Sequence, residues 1–255
     1  MDPIPIDDRG FLLGDGLFET VLFKDGRPVL WDEHVARLAR GCAAIGLPEP
    51  DRVRLKAAAE RAIADRRLGR SRAAVRLTWT AGSGGRGLGR PEPLKPRLIV
   101  SAAISPRPEG PATVVVSTIR RNARSPSARL KSLNYLDNVL ARREAESAGA
   151  DEALMLNTAG HAASAAAANL FWITAGRLYT PSLACGVLDG VMRRQVIGSA
   201  SVDEVRANLD TVMQAEAAFL TNSLIGIRPI KVLAGRFMQP HPAIDTLTRE
   251  LAELF

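Results

Sequence analysis

In "ARLKSLNYLDN", Lys131 stands beside Leu130, with Leu133 and Leu136 close behind. A lysine in such company either reaches past its neighbours to water or keeps a desolvated amine that can attack a carbonyl carbon. "GVLDGVMRRQ" (186–195) places Gly190 just ahead of a helix-opening pattern. The first amides of such a helix point outward and can hold a phosphate. "FLTNSL" (219–224) offers three hydrogen-bonding side chains at a strand end, and "HVARL" (34–38) puts Arg37 on a helix, where it is a surface charge or an anion contact. Each signal is weak by itself.

Other chemistries find less support. His34, His161 and His241 are scattered, Cys42 and Cys185 lie far apart, and no metal-ligand spacing joins them, so no metal site and no disulfide are expected. The net charge of +7 is spread along helices such as "RVRLKAAAERAIADRR" and carries no aromatic-interleaved basic stripe. That excludes a nucleic-acid module and suits an anionic small substrate. No apolar run approaches the ~20 residues of a membrane span, and "MDPIPIDDRG" is acidic and proline-broken, unlike a signal peptide. A cytoplasmic protein without membrane contact is expected.

The positioning elements read as α+β. "LFETVLF" (17–23), Lys-Asp-Gly and "RPVL" form a hairpin; "DEHVARLARGCAAIG" (32–46) forms a helix capped by Asp32 and ended by Gly46. A second helix runs from Asp51 to about Arg67, and antiparallel strands follow at 72–80 and 97–104. "SPRPEGP" (105–111) is the linker, which divides the chain into a small domain, 1–107, and a larger one, 108–255. Beyond it come strands at 112–119 and 152–157 around a helix at 135–150. Further strands follow at "LFWIT", "RLYTP", "AAFLTNS" and "IRPIKVL", with helices from Gly190 and at "AIDTLTRELAEL". "GHAASAAAANLFWI" (160–173) is ambiguous: its alanines suit a helix start or a close approach of backbones.

In order and spacing, "DRGFLLGDGLFET", "DEHVARL", "LKSLNYLDNVLARREA", "GADEALMLN", "NLFWI", "LYTP", "GVLDGVMRR" and "TNSLIGIRPI" resemble the class IV (fold-type IV) pyridoxal-phosphate enzymes over nearly the whole chain. That family includes branched-chain and D-amino-acid transaminases and 4-amino-4-deoxychorismate lyase. The resemblance implies two α/β domains with pyridoxal 5'-phosphate between them, and a homodimer. It implies that Lys131 bonds the cofactor and moves the substrate proton. It makes Arg37, the backbones of Val191 and Met192, and Ser223 the phosphate cup. Ser164 and Asn169 would lie along the ring, and Phe18, Thr20, Arg86 and Asn222 would face the substrate.

One position departs from the pattern. Four residues after the turn glycine the family carries a glutamate on the pyridine nitrogen, and here stands Ser164. A hydroxyl leaves that nitrogen neutral or nearly so, which weakens the electron sink and favours elimination over transamination. "AGSGGRG" (81–87) and "TNSLIGIRP" also resemble the lyase pattern. The expected activity is release of pyruvate from aminodeoxychorismate to give 4-aminobenzoate, a step of folate biosynthesis. A transaminase of the same fold and a weakly active cofactor-binding relative are the alternatives.

Overall fold

The computed structural model describes residues 3–255. The chain divides into two compact units, one running to Pro106 and including Leu130–Asn134, the other formed by Arg107–Arg129 and Tyr135–Phe255.

The first unit contains α1 (Arg9–Leu13), β1 (Gly16–Lys24), β2 (Arg27–Pro28), α2 (Trp31–Ile45), α3 (Arg52–Asp65), β3 (Ala73–Thr80) and β4 (Arg97–Ile104). Its antiparallel sheet has the order β2-β1-β3-β4. The β1–β2 hairpin turns on Asp25 and Gly26, both at positive φ (48° and 74°), as a two-residue turn requires. Alternation sends Leu17, Val21 and Phe23 into the core shared with Val35, Leu38 and Cys42 of α2 and Leu55, Ala59 and Ile63 of α3. Gly46 ends α2 at φ 65°, its amide reaching back to the Ala43 carbonyl. The start of α2 differs from expectation. Leu30, at φ 51°, holds the N-cap, and Asp32 falls inside the first turn, where its charge still complements the helix dipole.

The second unit contains β5 (Ala112–Val116), α4 (Pro126–Arg129), α5 (Leu136–Ser147), β6 (Glu152–Leu156), β7 (Ala162–Ala165), β8 (Asn169–Thr174) and β9 (Arg177–Pro181). These are followed by α6 (Val191–Ser199), β10 (Val202–Val205), α7 (Leu209–Met213), β11 (Ala217–Asn222), β12 (Gly226–Leu233), β13 (Arg236–Phe237) and α8 (Pro242–Glu250). The main path is β10-β9-β8-β11-β12-β5-β6-β7. A further pairing of β7 with β8 closes β8, β11, β12, β5, β6 and β7 into a ring. Leu154, Leu170, Trp172 and Leu220 fill one side of these strands.

The alanine-rich stretch is strand, turn and strand rather than a helix start. All four residues of β7 are buried. The Ala166 amide donates to the Ala153 carbonyl at 3.0 Å, and Glu152 accepts from the amides of Ala153 (3.0 Å) and Ala167 (3.2 Å). Long-range pairing has overridden alanine's helix propensity. Small side chains let backbones close over this turn.

Candidate active site

Lys131 is set by backbone before its side chain matters. Its carbonyl accepts the Phe18 amide at 2.8 Å, Leu17 bridges to Ser132, and the Leu133 amide reaches the Gly16 carbonyl at 3.0 Å. The segment therefore lies along β1 like an added strand, which nothing in its composition signals. Lys131 Nζ sits 4.1 Å from the centroid of the Phe18 ring, and the Arg76 guanidinium carbon sits 3.7 Å from the same centroid. Thr20 lies on the same face of β1, directly opposite Arg76 of β3. One aromatic ring thus carries an amine and a second positive charge. Arg76 was not singled out from the sequence, although the β1–β3 register makes it Thr20's partner.

On the other face of β1, Glu19 organises α2. Its carboxylate accepts from Arg37 Nε (2.8 Å) and Nη2 (2.6 Å) and lies 2.7 Å from His34 Nδ1. Glu19 and His34 are each only 1% exposed. Burial alone would raise the Glu19 pKa, but the charge and hydrogen bonds of Arg37 and His34 bring it down to about 2. Burial pushes the His34 pKa down, against the pull of Glu19. Arg37 is thereby oriented by a buried partner, with two of its nitrogens committed to that carboxylate. "FET" and "HVARL" were legible as separate motifs; that they share this ion pair was not.

Arg86 is exposed in the glycine-rich loop. Two arginines pin that loop. Arg9 donates to the carbonyls of Gly87, Leu88 and Gly89 and pairs with Asp15, and Arg90 joins Asp15 to the carbonyls at the end of α2.

In the second unit, α6 begins at Gly190 with no side-chain cap, so its first-turn amides, those of Val191 and Met192 among them, have no capping oxygen from Gly190. A Cβ on Gly190 would collide with Asn169 Oδ1. Asn169 Nδ2 donates to the Leu188 carbonyl at 2.9 Å, which ties β8 to the loop entering α6. Asn222 donates to the Ala167 carbonyl (2.9 Å) and its Oδ1 caps the amides of Leu224 and Ile225, so its side chain shapes the turn in which half-buried Ser223 lies. Ser164 is buried opposite Asn169. Thr221, which the sequence reading left without a role, is fully buried, and its Oγ1 has no hydrogen-bond partner among the described residues.

This donor set fits pyridoxal phosphate. The second unit carries an uncapped helix start whose amides suit a phosphate and glycine and alanine that suit a flat ring, and the first unit carries Lys131, whose amine type can bond a carbonyl carbon. Among the described residues no three His, Cys, Asp or Glu side chains gather as a metal site. Among the described residues no helix is long and apolar enough to cross a membrane.

The fold and these residues define a fold-type IV, pyridoxal-phosphate-dependent enzyme. The chain belongs to the amino-transferase class IV family, whose model matches residues 16–233. It is similar to aminodeoxychorismate lyase of Bacillus subtilis, 32% identical over 87% of this chain and 78% of that one. It is also similar to the crystal structure of 4-amino-4-deoxychorismate lyase from Pseudomonas aeruginosa, with a TM-score of 0.88 and 30% identity over 99% of this chain and 96% of that one. D-alanine aminotransferase of Listeria monocytogenes is 27% identical over 91% of this chain and 83% of that one.

Proposed function

We propose that the chain is an aminodeoxychorismate lyase, releasing pyruvate and forming 4-aminobenzoate. The observation that carries this reading is the shared Phe18 ring, where the Lys131 amine and the Arg76 guanidinium stand together. An amine that removes a proton is useful there only if the substrate is held beside it, and Arg76 attracts a carboxylate. Near-full-length similarity to two lyases supports the choice of reaction.

Lys131 would hold pyridoxal phosphate in the resting protein, and its amine, once released by incoming substrate, would take the proton from the substrate carbon that bears nitrogen. Pyridoxal phosphate, when bound, supplies the electron-withdrawing ring that eases loss of that proton. The electron pair left by that proton would complete the aromatic ring as the neighbouring carbon–oxygen bond breaks, and the departing enolate would take up a proton at carbon to become pyruvate. Arg37, Ser223 and the backbone amides of Val191 and Met192 bind the phosphate, and Asn169 holds β8 against the loop entering α6. Phe18, Thr20 and Asn222 shape the substrate side, and Arg86 reads a carboxylate. The enzyme works in the cytoplasm, in folate biosynthesis.

The active species is a homodimer. Ile4, Ile6, Phe11, Leu12, Leu13 and Leu88 of the first unit are 42–83% exposed, a large apolar set for one small sheet domain to leave in water.

The test sets pyruvate release from aminodeoxychorismate beside amino transfer to a panel of 2-oxo acids. Pyruvate and 4-aminobenzoate in equal amounts, with slower amino transfer, is the expected result. Amino transfer without pyruvate would make the chain a D-amino-acid or branched-chain transaminase instead.

A further inference from the structure

We propose that the second unit carries a further ligand site, a cleft on the face of its sheet away from Asn169, and that this cleft binds a small aromatic carboxylate.

The cleft has a volume of about 400 Å³ and lies between β8, β9 and the segment that leads into α7. Sites for small organic ligands are of this size. Alternation along β8 sets it apart from the residues assigned to the cofactor. Asn169 and Phe171 point to one face of the strand, Trp172 and Thr174 to the other. The start of α6, which Asn169 ties to β8, is therefore on the opposite side.

One wall is aromatic. Trp172 and Tyr179 are directly opposed on β8 and β9, with ring centroids 5.8 Å apart and planes 18° from parallel. Trp172 is anchored in the core and Tyr179 is half-buried, so the tyrosine presents the outer part of this surface.

Donors without acceptors stand around the wall. Thr174 Oγ1 is buried and has no hydrogen-bond partner among the described residues, which an acceptor on a ligand would supply. Asn208 Oδ1 accepts from the amide and hydroxyl of Thr211, and this leaves the Asn208 Nδ2 protons to the rim of the cleft. His161 also faces it. Arg206 is exposed at the same rim, and no carboxylate pairs with it among the described residues. No aspartate or glutamate lines the cleft. Arg177, 5.9 Å from the Tyr179 ring, is paired with Asp203 at 2.7 Å, so those two charges offset each other. What remains is one positive charge, a set of neutral donors and an aromatic surface. A carboxylate matches the donors, and a flat ring behind it matches the wall.

The experiment uses full-length, cofactor-loaded protein carrying 15N at its tryptophan indoles, titrated with benzoate and read by NMR. Trp31→Phe and Trp79→Phe assign the Trp172 signal by elimination. Benzoate should move that signal saturably. Benzamide, which lacks the charge, and cyclohexanecarboxylate, which lacks the flat ring, should bind more weakly. Arg206 is exposed and unpaired among the described residues, so Arg206→Gln leaves the fold alone; it should weaken benzoate about tenfold or more. Thr174→Val keeps the shape of the side chain and removes the hydroxyl, and it should weaken benzoate severalfold. No saturable shift at Trp172, equal binding of benzamide, or native binding by both variants would overturn the proposal. The titration reads this cleft whatever reaction the protein catalyses, so its failure and the failure of the lyase reading are separate results.

Discussion

Glu19 stays ionised in the core because Arg37 and His34 both reach it, and that makes Arg37 more than an anion contact. Arg37→Ala leaves a buried carboxylate half-paired, which costs about 3–5 kcal/mol of stability. It would also remove the charge-assisted contact proposed for Arg37 with the phosphate, in which case cofactor affinity should fall about tenfold to a hundredfold. Denaturant unfolding of apo protein isolates the first effect and cofactor titration the second; unchanged stability would contradict the ion pair. Acid should act on the same cluster. The His34 pKa is lowered, so its contribution is complete above 6.5 and declines as the unfolded chain gains a proton below that value. The Glu19 pKa is lowered from 4.5 to about 2, so its contribution is lost as pH falls through that interval. Stability should therefore begin to fall below 6.5 and fall more steeply below 4.5. Glu19→Gln should flatten the lower part of the curve, and an unaltered acid limb would sink the assignment.

Between elements, a tight junction near the candidate site is Gly190 against Asn169. Gly190→Ala forces a methyl into Asn169 Oδ1, an overpacking typically worth about 1–3 kcal/mol. The expected outcome is a lower melting temperature together with weaker cofactor retention; normal retention would show that the helix start does not hold the phosphate. Much at this scale could be read in the sequence because local rules decided it. Asp25-Gly26 fixed the hairpin, Gly46 ended α2, and Asp51 capped α3 through the Arg54 amide. What could not be read depends on partners far along the chain. "AASA" is a strand because β6 and β8 flank it, and Leu130–Asn134 joins the first unit because β1 offers it hydrogen bonds. The β10 strand and the short α7, in "SVDEVRANLDTVM", lacked the length to announce themselves. The site followed the same division. Lys131, Gly190 and Asn169 stood in recognisable motifs, whereas Arg76, Glu19 and Thr221 acquire their settings only through strand register and burial.

At the scale of the whole molecule, the charge of +7 and the exposed apolar side chains of the first unit make separate demands. A positive protein should draw an anionic substrate faster at low salt, so kcat/KM should decline as ionic strength rises. The apolar set should be covered by a second copy. Phe11→Asp with Leu12→Asp should shift sedimentation from dimer to monomer, and a native protein that sediments as a monomer would contradict that part of the account. Pyruvate release from aminodeoxychorismate by the native protein and by Lys131→Ala, both loaded with pyridoxal phosphate, shows whether Lys131 drives a lyase reaction. The native protein should release pyruvate and 4-aminobenzoate in one-to-one amounts, and the variant none above background. Equal release by the two proteins, or none from either, would contradict that role.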